Sequence, residues 1–332
     1  MIHPIPPGTR DVLPDEKREL RRLERGMIDV FEARGYGEVA TPAIEYDEVL
    51  ARGDGRTTGG AYRFFDENGD LLALRSDMTV PIARLVSSRY ADAEPPLRLC
   101  YLASAYRAVR PQRGQMREFV QAGVELIGAA GSDGTAEVIE VLEAALDAAG
   151  LDRAVIGLGD ADLYRQLLTE FGVEGDARDS ILARLATHDL VGLERELSAV
   201  EGIGEEQVAT CVTLSQLRGG SEVLERAHGL GGPTVERATE RLQETYDALA
   251  ARGAADRVQI DLGLLRDLGY YSGAILEVYD PALGYVIGGG GRYDGLMRRF
   301  GVDQPAAGFA LHLERVHVAQ MEEESRRRGR TP

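Results

Sequence analysis

The chain has 332 residues, 44% of them hydrophobic and 28% charged, a globular composition that excludes a disordered chain and gives room for about two domain-sized units. Its net charge of −17 repels a phosphate backbone and disfavours a nucleic-acid substrate unless a basic patch is assembled locally. No stretch approaches the roughly 18 uninterrupted apolar residues of a membrane helix, and the opening MIHPIPPGTRDVLP lacks a charged start followed by an apolar run, so the expectation is a cytoplasmic protein without membrane contact.

Between Pro14 and Arg34 the apolar residues Leu20, Leu23, Met27, Val30 and Phe31 recur at helical spacing; Pro14 suits a first turn and Gly35 a stop, which predicts an amphipathic helix. Residues 63–65 and 71–74 flank Asp66-Glu67-Asn68-Gly69, and Asn-Gly between apolar runs predicts a hairpin. Leu97 to Tyr106 and Arg117 to Ile127 read as two further strands joined by a polar loop with Pro111 and Gly114. In the second, Phe119, Gln121, Gly123 and Glu125 share one face and Val120, Ala122, Val124 and Leu126 the other. The second set is core, and the first faces a pocket or solvent. Glu137 to Ala149 predicts a helix ended by Gly150, and Ala154 to Leu158 a strand.

From Ala161 to Arg252 the segments read as short helices broken by Gly219-Gly220 and Gly231-Gly232-Pro233, an inserted helical subdomain. Strand character returns at Val258 to Leu262, Ala274 to Tyr279 and Tyr285 to Ile287, so one sheet is expected to be completed across the insert. The pattern predicts an α+β protein whose antiparallel sheet is flanked by helices. The expected division is a core of residues 1–160 and 253–320, a helical insertion over 161–252, and a charged, frayed tail over 321–332.

Cys100 and Cys211 are the only cysteines, and they and the five histidines show no metal-ligand spacing, so neither a metal nor a cofactor is expected. A Gly-Lys-Ser/Thr phosphate loop is absent. The run Gly288 to Gly291 serves either a close backbone approach to a ligand or a tight turn, and Tyr270-Tyr271 reads as ordinary strand aromatics.

Six blocks occur in a telling order: Pro7 to Pro14, Leu74 to Thr79, Tyr106 to Gly114, Leu265 to Tyr271, Gly289 to Asp294, and Ala307 to Arg315. With them the chain resembles, over nearly its whole length, the histidyl-tRNA synthetase branch of the class II aminoacyl-tRNA synthetases. The resemblance implies that family's α+β core and a candidate L-histidine site formed by Asp77, Thr79, Arg107, Gln121, Glu125, Arg266, Tyr270 or Tyr271, and Tyr293. Such a ligand makes chemical sense of the set, because a free amino acid needs carboxylates for its ammonium, an arginine for its carboxylate and polar groups for the imidazole. It also favours the pocket reading of Gln121 and Glu125.

The departures from that family are as informative. Val109 stands where motif 2 has a glutamate that contacts adenine, and Gln115 where a phosphate-contacting arginine is usual. In Arg266-Asp267-Leu268-Gly269 the Gly and Asp positions are exchanged, a motif 3 glycine is His312, and Arg315 is retained. Adenylation depends on positioned positive charge, so Val109, Gln115 and Arg315 mark a vestigial nucleotide site, and no synthetase activity is expected. Seventeen residues (332 − 315) follow Arg315, against about a hundred in an anticodon-binding domain, so no tRNA partner is expected. The combination resembles the family of ATP phosphoribosyltransferase regulatory subunits. It implies a non-catalytic chain that activates a short-form catalytic subunit within a hetero-octamer and confers feedback inhibition by histidine on the first step of histidine biosynthesis. It also implies a homodimer through the core, the segment near Gly37 to Leu50 resembling motif 1. The alternatives are a histidyl-tRNA synthetase or a synthetase paralogue lacking the anticodon-binding domain.

Overall fold

An amphipathic first helix sets the layer order. In the computed structural model, which describes residues 5–53, 60–108, 116–266 and 269–329, α1 (Pro14–Ala33) buries Leu20, Leu23, Met27 and Phe31 on one face and opens at Pro14 as predicted. Asp15 and Glu16 occupy its first turn, where the helix dipole favours acid. Next come β1 (Gly37–Glu38), β2 (Ile44–Tyr46) and α2 (Asp47–Gly53). The expected hairpin is β3 (Arg63–Phe65) and β4 (Leu71–Leu74). Its turn is held by Asp66 Oδ1, which accepts from the Asn68 and Asp70 N–H groups at 2.9 Å each. Gly69 sits at φ +89°, a conformation that costs glycine no Cβ clash.

The chain continues through α3 (Thr79–Arg89), β5 (Leu97–Tyr106), β6 (Glu118–Ile127), α4 (Gly131–Ala148) and β7 (Val155–Asp160). Helix α4 begins before the predicted Glu137 because Gly134, Thr135 and Ala136 are buried in its first turns, and such small residues add little to an apolar repeat. Six helices follow: α5 (Leu163–Glu170), α6 (Gly175–Ala186), α7 (Leu190–Ser198), α8 (Glu205–Gln216), α9 (Glu222–Ala227) and α10 (Gly232–Arg252). The short β8 (Arg218–Gly219) lies between α8 and α9, and β9 (Val258–Asp261) returns parallel to β7. A parallel return demands a long crossover, and these helices supply it. Their Leu163, Leu193, Leu214 and Leu242 join the same hydrophobic core as α1 and α4.

Strands β10 (Ala274–Tyr279) and β11 (Val286–Arg292), helix α11 (Asp294–Arg299), β12 (Ala306–His312) and α12 (Leu313–Arg327) complete the chain. Two features differ from the sequence expectation. The run Gly288 to Gly291 is no tight turn: it is the body of β11, paired on both sides, and glycine is needed because a Cβ at Gly290 would stand 2.7 Å from the Phe309 Cα across the ladder. The charged end does not fray at Glu322. It stays helical to Arg327 because buried Glu323 accepts from the Arg153 N–H at 3.1 Å and from Arg327 at 3.2 Å.

Among the described residues the main sheet has nine strands in the order β1-β5-β6-β12-β11-β10-β7-β9-β8, and β2-β4-β3 form a separate small sheet. The main sheet is antiparallel except for the pairs β1–β5 and β7–β9. Its two faces pack different cores. Cys100, Val124, Leu126, Phe309 and Leu311 lie with the buried faces of α1, α4 and α12. Leu99, Tyr101 and Ile127 point the other way, with Leu50, Ile82, Val86 and Leu296 from α2, α3 and α11. Fully burying one such aliphatic side chain contributes about 1.5–3 kcal/mol. Among the described residues no helix is long and apolar enough to cross a membrane.

Candidate functional site

At the centre of that second face the sheet is stripped of bulk. Gly123 on β6, Ala310 on β12 and Gly289 on β11 stand side by side in register, and the hollow over them is lined from around its edge. Asp77 and Thr79 come from the start of α3, Arg107 follows β5, and Gln121 rises from β6. Arg266, Tyr270 and Tyr271 come from the connection between β9 and β10, and Tyr293 from the joint of β11 with α11. Eight of the nine residues named from the resemblance thus surround one cavity of about 50 Å³. The ninth, Glu125, lies beneath it, accepting from the Thr79 hydroxyl at 2.9 Å and from the Tyr293 hydroxyl. Gln121 and Glu125 are 3% and 1% exposed, so their face of β6 does not look into solvent.

Burial dominates the electrostatics. It pushes the Glu125 carboxyl up to about 8 against the opposing hydrogen bonds of Tyr293 and Thr79, because a charge far from water is costly unless it is fully compensated. Burial also raises Asp77, which the Arg107 guanidinium pulls back down. Tyr270 and Tyr293 are held well above the usual phenol range by burial, so both stay neutral donors. Gln121 Oε1 is buried and has no hydrogen-bond partner among the described residues. Leaving such an acceptor unpaired costs about 1–3 kcal/mol, and a donor entering the cavity would remove that cost. Arg107 donates through Nε to the Ser76 carbonyl at 3.1 Å, and Arg266 donates to the Leu276 carbonyl at 2.9 Å. Two guanidiniums, a carboxyl, an amide and phenols in one enclosure suit a small zwitterion with a polar side chain.

A second cavity, of about 370 Å³, adjoins the first, with Arg10, Phe119, Tyr285, Glu314 and Arg315 in its lining. Arg315 lies with its guanidinium carbon 5.5 Å from the Tyr285 ring centroid and donates to the Val286 carbonyl at 2.6 Å. Glu314 accepts from the Val120 N–H at 3.0 and 3.1 Å. Val109 and Gln115 fall outside the described residues. Among the described residues no group of three His, Cys, Asp or Glu is placed to hold a metal. Both cysteines are buried, and burial pushes each thiol up to about 12, too far to supply a thiolate.

Sequence reasoning missed three contributors to the first cavity. Tyr101 projects from β5 beside Gly123, where a Cβ would stand 2.6 Å from its hydroxyl. The signal was present: a glycine between Gln121 and Glu125 leaves room for a cross-strand aromatic. Gly308 makes room for Glu125, since a Cβ there would run into the carboxylate. His312, read only as a departure from a motif, lines both cavities.

The same fold recurs in known proteins. The histidyl-tRNA synthetase family model matches residues 8–316. An ATP phosphoribosyltransferase regulatory subunit from Moorella thermoacetica is 42% identical over 320 residues, covering 96% of this chain and 82% of the relative. Another, from Desulforamulus reducens, is 41% identical over 317 residues, covering 95% and 78%. A solved ATP phosphoribosyltransferase regulatory subunit/histidyl-tRNA synthetase from Bacillus halodurans superposes with a TM-score of 0.88 at 32% identity, covering 96% of this chain and 84% of that one. The chain therefore belongs to the family of ATP phosphoribosyltransferase regulatory subunits, built on the histidyl-tRNA synthetase fold.

Proposed function

We propose that this chain binds L-histidine in the cavity of Asp77, Arg107, Gln121 and Tyr293 and transmits its presence to a short-form ATP phosphoribosyltransferase catalytic subunit. The complex would thereby be active when histidine is scarce and restrained when it is abundant. The observation that carries the reading is the orphaned Gln121 Oε1 in an enclosed cavity that also holds a carboxyl and two guanidiniums. An imidazole N–H or an ammonium satisfies that acceptor, Asp77 balances the ammonium, and Arg107 or Arg266 takes the carboxylate.

Feedback requires histidine to prefer the restrained assembly over the active one, since a ligand that binds both equally shifts nothing. The assembly in this reading is a hetero-octamer of catalytic and regulatory chains containing homodimers of this chain. A homodimer is supported by the small sheet: Ile44, Tyr46 and Phe64 are 48%, 50% and 38% exposed, and Tyr46, Leu72 and Phe64 stand in one cross-strand row. An apolar row of this kind on a three-stranded sheet is a natural contact for a second copy.

The reading is tested by calorimetric titration of the chain with L-histidine, and by sedimentation of the chain mixed with a short-form catalytic subunit. Saturable histidine binding and a complex heavier than either component are expected. No histidine heat, or two components that sediment independently, would remove the corresponding half of the proposal.

A further inference from the structure

Two residues, Arg107 and His312, line both the small cavity and the larger one beside it. His312 ends β12 directly opposite Gln121, which turns its side chain onto the face that carries the site. Its ring lies on Phe119, with centroids 4.7 Å apart and planes tilted by 26°. The Arg107 guanidinium carbon is 5.0 Å from the centroid of the same Phe119 ring. Burial first, and then the charges of Arg315, Arg107 and Arg266, hold the imidazole well below its usual range. It therefore stacks as a neutral aromatic and adds no further positive charge to an arginine-rich wall.

Without His312 this wall has the makings of a nucleotide platform. A base stacks favourably on a fixed aromatic ring whatever its identity, and guanidiniums pair with phosphate oxygens. The larger cavity offers the ring of Phe119 together with Arg10, Arg107 and Arg315. We propose that His312 is a built-in occupant of that platform: it covers the Phe119 ring, excludes planar aromatic anions such as purine nucleotides, and with Arg107 closes the passage between the two cavities. A synthetase-type reaction joins an amino acid to a nucleotide phosphate and needs the two ligands in contact. The partition prevents that contact, whichever ligand the small cavity holds, so the inference does not depend on histidine being that ligand.

The test is calorimetric titration of the native chain and of His312→Gly, His312→Ala and His312→Phe with ATP, and separately with inorganic triphosphate as an anion that has no ring. His312→Gly and His312→Ala are expected to bind ATP at least tenfold more tightly than the native chain. His312→Phe, which keeps the stack, should match the native chain, and triphosphate should not distinguish the four proteins. If the glycine variant fails to fold, the alanine variant decides. Equal ATP affinity in the native and alanine chains overturns the proposal. So does a gain for triphosphate equal to that for ATP, which would locate the effect in charge instead of the covered ring. A parallel histidine titration bears only on the proposed function, so the two readings fail separately.

Discussion

The Thr79 hydroxyl donates to Glu125 Oε1 at 2.9 Å, tying the first residue of α3 to the C-terminal part of β6. Tyr293 reaches the other oxygen of the same carboxyl, so three elements far apart in sequence are referred to one buried group. Its protonation state therefore concerns the stability of the whole site.

Glu125 should make stability fall as pH rises. Its carboxyl lies near 4.5 when free and is pushed to about 8 by burial, so the folded chain holds this proton more tightly than the unfolded chain does. The contribution is fully present below about pH 4.5 and is lost as pH rises through 8, by a few kcal/mol at most. Glu125→Gln mimics the protonated carboxyl and should flatten this part of the profile. Urea unfolding of both proteins at pH 5 and pH 8 measures the difference, and parallel profiles would show that Glu125 does not titrate in this range.

Gln121→Leu removes the unpaired acceptor at nearly constant volume. The free chain should be no less stable, because the buried orphan atom is gone. Histidine, however, should bind at least tenfold more weakly, about 1.4 kcal/mol. Calorimetry on the variant reads both directions of the argument, and an unchanged dissociation constant would place histidine elsewhere.

Gly289→Ala tests the stripped strand. A methyl there would strike the Arg266 guanidinium and stand 2.6 Å from the Leu276 carbonyl oxygen, so the backbone must shift at a cost of about 1–3 kcal/mol. Gly295→Ala, in α11 with nothing within 4 Å of its added Cβ, should be neutral or stabilising by up to about 1 kcal/mol. Equal midpoints for the two variants in denaturant would mean that the close packing over β11 is absent in solution.

Tyr46→Glu puts a charge into the exposed row of Tyr46, Leu72 and Phe64. The variant should sediment as a monomer at concentrations where the native chain is a dimer, with its unfolding midpoint little changed. A variant dimer as tight as the native one would move the contact away from the small sheet.

Much of this fold was legible wherever a pattern is local. The apolar repeat of α1, the Asn68-Gly69 turn and the long strands β5 and β6 all sit within a residue or so of their predicted limits. Local patterns failed where a partner lay far away in the chain. The glycines of β11 look like a turn until Arg266 and Phe309 are placed against them, and the charged end of α12 looks frayed until Arg153 caps Glu323. The site was legible only through the order of its motifs, because its residues come from several separate elements and no single window contains the cavity. The stacking of His312 on Phe119 shows nowhere in either residue's own neighbourhood.

The proposed regulation is measured most directly as the ATP phosphoribosyltransferase activity of a short-form catalytic subunit from the same source. The activity is measured with and without this chain across a titration of L-histidine. The chain should raise the activity, histidine should then lower it, and Gln121→Leu should shift the inhibition to at least tenfold higher histidine. Activity that is indifferent to the chain, or activation that histidine never reverses, would contradict the proposed regulation.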